Sequence, residues 1–111
     1  MEIKPSDRLR LRVDAISLRL REISAEVARS KGEAYDLQRR IEELTVATLV
    51  DGNGEKRMEL DSLKSQLTAS QERAAQAEQD EARLKDLLAA ARREYLDQLR
   101  RERRGRWVIL E

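Results

Sequence analysis

An all-α fold, a long antiparallel two-helix hairpin of the coiled-coil type, follows from three features of the sequence. Large apolar residues recur at alternating steps of four and three along two separate stretches. One cluster of turn-forming residues, Asp51-Gly52-Asn53-Gly54, divides those stretches. The composition, with 41% charged residues, 3% aromatic residues and no Phe, is that of long helices and not of a globular core. A chain of 111 residues allows one domain. Its expected parts are a helix over about residues 6–50, a turn over 51–54, a second helix over about 55–104 and an apolar tail over 105–111.

The first helix opens at Pro5 and Ser6, which offer an N1 proline or an N-cap hydroxyl. With Val13 taken as position a, the a/d track runs Leu9, Val13, Ile16, Leu20, Ile23, Val27, Ser30, Ala34, Leu37, Ile41, Leu44 and Thr48. Gly32 lies inside it, at a cost of about 1 kcal/mol against Ala, too little to interrupt a helix of this length.

The turn chemistry is local. Gly52 suits the left-handed conformation that closes a helix, Asn53 suits the N-cap of the next one, and Glu55 falls in the favourable first turn.

The second helix carries Leu60, Leu63, Leu67, Ser70, Ala74, Ala77, Glu81, Leu84, Leu88, Ala91 and Tyr95 in the same rhythm. Folding the chain at Gly52 places each a or d residue opposite one whose number sums with it to 104: Leu44 with Leu60, Ile41 with Leu63, Val27 with Ala77, Ile16 with Leu88, Leu9 with Tyr95. Two tracks and one turn, read independently, agree on one register. Small residues, Ser30, Ala34, Ser70, Ala74 and Ala77, face one another midway, so the helix axes are expected to approach closely there. Ile23 opposite Glu81 is the mismatch, to be relieved by the glutamate reaching to the edge or by a local change of phase.

A hairpin buries one stripe per helix, and apolar residues remain outside it. Leu11 and Leu18 occupy the outer f position of helix 1, and Leu87, Leu96 and Leu99 lie off the seam of helix 2, all near the open end. They form a candidate interaction surface, with self-association into a four-helix arrangement as the expectation and a homodimer the favoured form. The tail adds Trp107, Val108, Ile109 and Leu110. Gly105 followed by a β-favouring run predicts that this tail leaves the helix axis and either folds back or docks into a protein partner.

The net charge is +1, but it is unevenly spread. From Arg8 to Arg21 there are five Arg against Asp14, whereas from Asp51 to Glu81 eight acids outnumber Lys56, Arg57, Lys64 and Arg73. The open end is basic and the hairpin tip acidic. Candidate phosphate contacts are Arg8, Arg10, Arg12, Arg92, Arg93, Arg100, Arg101, Arg103, Arg104 and Arg106, which make nucleic-acid binding the alternative reading. Interleaved acids and the scarcity of stacking aromatics weigh against it. The acidic tip, Asp51, Glu55, Glu59 and Asp61, broadly resembles the hairpins that probe the secondary channel of RNA polymerase, which implies a minor alternative, insertion into a partner's channel. Seryl-tRNA synthetase arms and type III secretion stalk proteins share the same architecture.

The chain has no His and no Cys, hence no imidazole base, thiolate nucleophile, disulfide or zinc knuckle. No catalytic, cofactor-binding or metal residues are assigned, and no enzyme is expected: carboxylates on an exposed helix have no pocket to shift their pKa. No stretch approaches the ~18 apolar residues of a membrane span, and the start lacks an apolar leader segment, so a cytoplasmic protein is expected. The leading functional expectation is a protein–protein interaction or scaffold module.

Overall fold

The computed structural model describes the backbone of residues 4–110 and the side chains of residues 4–104. It is a hairpin of two helices, α1 over Pro5–Val50 and α2 over Gly54–Leu110, with no strand among the described residues. The chain divides into two compact units, a terminal unit of residues 1–22 with 80–111 and a hinge unit of residues 23–79.

Pro5 is the first helical residue of α1. The Lys4 carbonyl accepts from the amides of Asp7 at 3.0 Å and Arg8 at 3.3 Å, so Lys4 caps through its backbone and the proline sits where its missing N–H is not needed. Ser6 is therefore not the cap. It is buried, and its amide donates to Glu102 Oε1 at 3.3 Å, which satisfies one of the orphan donors of the first turn.

The turn is three residues, Asp51 to Asn53. Asn53 caps α2 as its side chain suggests: its Oδ1 accepts from the Lys56 amide at 2.9 Å. Gly52 does not adopt the left-handed conformation, since no glycine among the described residues has positive φ. Its role is close approach. A Cβ at Gly52 would lie 2.7 Å from the Thr48 carbonyl oxygen, a backbone atom that cannot swing away. At the end of α1, Lys56 Nζ donates to the Asp51 carbonyl at 3.1 Å and lies 3.4 Å from its carboxylate, placing a cation where the helix leaves unpaired carbonyls.

The predicted seam is the covered face in both units. In the terminal unit Leu88 and Ala91 are buried, and Leu9, Val13, Ile16, Leu20, Leu84 and Tyr95 are half-buried. In the hinge unit Ile23, Val27, Ser30, Ile41, Ser70, Ala74 and Ala77 are buried, and Ala34, Leu37, Leu44, Leu60, Leu63 and Leu67 are half-buried. Enclosure is deepest at a small side chain: Ser70 retains 1% of its accessible surface. That is the pattern expected where short side chains let two backbones come together, and burial of hydroxyls needs partners. Ser70 Oγ accepts from Arg73 Nη2 at 3.0 Å, and Arg73 Nη2 lies 3.6 Å from Glu33 Oε2 across the hairpin.

Ion pairs at the seam edges follow the same register. Arg12 and Glu94, both at position g, are 3.8 Å apart in the terminal unit. In the hinge unit Glu33 and Arg73 pair g to g, and Lys31 and Glu78 pair e to e. These groups are largely exposed, so each pair contributes on the order of 0 to 1 kcal/mol and specifies alignment more than it adds stability. At the predicted mismatch, Ile23 is buried, while Glu81 is half-buried and extends its carboxylate to 3.6 Å from Lys85 Nζ one turn along α2.

One expectation is overturned at the C-terminus. α2 continues through Gly105 to Leu110 and does not end at residue 104 with a tail leaving the axis. A glycine inside a helix costs about 1 kcal/mol, and no proline follows to enforce a stop, so propagation from a long preformed helix prevails over the β preference of a short run. The side chains of Arg106, Trp107, Val108, Ile109 and Leu110 lie outside the described residues.

Candidate interaction surfaces

Three groups of side chains were expected to carry function. The open-end leucines stand out first. Leu11, Leu18, Leu87 and Leu96 remain exposed in the terminal unit, whereas Leu99 is half-buried. They do not share one face. Leu87 is one heptad from Glu94 and so lies along the g edge marked by the Arg12–Glu94 pair, while Leu96 and Leu99 fall at b and e, on the other side of α2. Leu11 and Leu18 point outward from α1 at f.

The arginines form the second group. Arg8, Arg10, Arg92, Arg93, Arg101, Arg103 and Arg104 are exposed and make no ion pair among the described residues. Arg12 is engaged with Glu94, and Arg100 Nη1 lies 3.7 Å from Asp97 Oδ1. Glu102, between Arg101 and Arg103 in the chain, is held below the usual carboxylate range, chiefly by its side-chain hydrogen bond with Ser6 and further by the Ser6 amide, Gln98 and the charge of Lys4, against the opposing effect of desolvation.

At the hinge, the acids Asp51, Glu55, Glu59 and Asp61 are exposed as expected. They are joined by apolar residues that the reading of this end as acidic passed over. Val46, Leu49, Val50 and Met58 are all exposed, Leu49 by 83% and Val50 by 86%. Val46, Leu49 and Val50 stand at i, i+3 and i+4 and share the outer face of α1, whereas Met58 occupies f of α2 and faces the opposite way. The signal was available in that spacing.

The grooves beside the seam are shallow and open. The one next to Ser70 in the hinge unit is bordered by Glu33, Asp36, Arg40, Gln66 and Arg73, charges of both signs. Among the described residues no group of His, Cys, Asp and Glu is placed to hold a metal ion, and no helix is long and apolar enough to cross a membrane. The chain matches no known family, no curated protein and no solved structure.

Proposed function

We propose that the chain is a non-enzymatic coiled-coil interaction module that associates with its own copy through apolar side chains outside the seam. The observation that supports this reading is the number of large apolar residues left exposed once the seam is covered: Leu11, Leu18, Leu87 and Leu96 in the terminal unit, and Tyr35, Val46, Leu49, Val50 and Met58 in the hinge unit. Of these, Val46, Leu49 and Val50 share one face of α1, and contiguous apolar surface marks association sites more often than it is left in water. A hairpin with a single buried stripe also gains from further burial. Light scattering of the full chain over a concentration series tests the reading: a mass rising towards that of two chains is expected, and a monomer at every concentration sinks it.

A second reading is favoured by the exposed arginines without ion pairs among the described residues. They suit phosphate contacts, with binding that weakens steeply as salt rises. A mobility shift with duplex DNA and with RNA at low ionic strength separates the two, because an absent shift leaves the interaction module alone.

A further inference from the structure

The outer face of α1 carries a second run of residues at steps of three and four. In the hinge unit it reads Gly32, Tyr35, Arg39, Glu42, Val46 and Leu49, alternating between positions f and b. None of these six is in the seam, and all are exposed. The corresponding outer positions of α2 in this unit, Met58, Asp61, Ser65, Thr68 and Glu72, are mostly polar. Thus α1 alone has two faces fit for packing. Gly32 sharpens the point, because a Cβ there would meet nothing within 4 Å. Nothing inside the hairpin accounts for glycine at a helical position where Ala is better by about 1 kcal/mol.

We propose that this face of α1 packs antiparallel against the same face of a second copy, about a two-fold axis passing between residues 40 and 41. The inference rests on the self-association proposed above and names the surface that performs it. In this arrangement facing residues sum to 81. Tyr35 meets Val46 of the other copy, Gly32 receives Leu49, and Arg39 meets Glu42. Every contact occurs twice, as an isologous interface requires. The charges decide for a second copy as the occupant: the apolar ends flank a cation and an anion so spaced that reversal of the helix brings each opposite the other. Within one chain Arg39 Nε is 3.8 Å from Glu43 Oε1 with both side chains largely exposed, a contact loose enough to yield to a partner. Val50, beside Leu49, extends the covered surface. A single helix pair of this length is at the small end of stable interfaces, so the dimer dissociates on dilution.

The test uses full-length chains and sedimentation equilibrium. Val46→Glu with Leu49→Glu alters two side chains that the hairpin leaves exposed, so helicity by circular dichroism should hold while the dimer weakens about tenfold or more. Arg39→Glu and Glu42→Arg, each alone, oppose like charges and should weaken the homodimer. Mixing these two single variants brings a copy with acids at both positions 39 and 42 against a copy with arginines at both, and a heterodimer should form. Recovery on mixing supports this surface and register. Failure to recover on mixing, or a wild-type mass retained by Val46→Glu/Leu49→Glu, overturns the inference. If Leu18→Glu with Leu96→Glu then reduces the mass, self-association stands and its surface is at the open end. A wild type that never exceeds one chain overturns both.

Discussion

The amide of Ser6 and the carboxylate of Glu102, 96 positions apart in sequence, meet at 3.3 Å, so an acid near the end of α2 serves the first turn of α1. The contact is both a cap in trans and an electrostatic match, since the N-terminus of a helix carries partial positive charge.

Its pH dependence has a definite sign. The folded-state pKa of Glu102 lies below its ordinary value, so the stabilisation is present above the unfolded pKa and is lost as pH falls through the folded one. Glu102→Gln should therefore lower the melting temperature at pH 7 and have a shrinking effect as the solution is acidified. A difference that persists unchanged at strongly acidic pH would refute the contact.

Seam and surface should respond unequally. Ile41 is buried, and Ile41→Ala should cost roughly 2 to 5 kcal/mol. Glu59 is exposed, and Glu59→Gln should stay within about 0.5 kcal/mol. Urea denaturation of both variants checks the pair, and equal shifts would contradict the seam.

The enclosure of Ser70 predicts intolerance of size. Ser70→Leu places extra methylene groups where 1% of the surface is accessible and should destabilise by about 1 to 3 kcal/mol, whereas Ser70→Ala should be far milder. Comparable losses for the two would mean that the hydroxyl, through Arg73, matters more than the space.

At the turn, Asn53→Ala removes the acceptor for the Lys56 amide and should cost about 1 kcal/mol. Gly52→Ala should also destabilise, for a steric reason, by forcing the Thr48 carbonyl aside. Replacing Gly52 with a D-amino acid separates the causes: it rescues a left-handed glycine, and it should bring no benefit where φ is not positive.

The seam was legible because a coiled coil is governed by one period. Leu60 can be matched to Leu44, and Tyr95 to Leu9, by counting, and Asn53 announces its cap by its side chain. Three features do not follow from composition and local preference, for different reasons. Gly105 reads as a stop by local preference, yet the helix continues, since propagation from many preceding turns outweighs one unfavourable residue. Val46, Leu49 and Val50 share a face by their spacing, but acidic neighbours dominate the composition of that end. The hydrogen bond from Ser6 to Glu102 has no signature in sequence, because it depends on how two distant helix ends are brought together.

The ion pairs Arg12–Glu94, Lys31–Glu78 and Glu33–Arg73 also act as a reading frame. A slip of α2 by one heptad, with the turn moved towards Glu55, would still set a and d positions against d and a positions and keep apolar pairs such as Leu44 with Leu67 and Val27 with Leu84, although Val13 would face Gln98 and Leu9 would face Glu102. It would, however, set Arg12 against Arg101, Lys31 against Lys85 and Glu33 against Asp80, like charge against like at each site that is now complementary. Hydrophobic periodicity permits many alignments of two such helices, and these edge charges reject this neighbouring one. Pairs too exposed to add much stability thus give the hairpin something else: memory of a single frame.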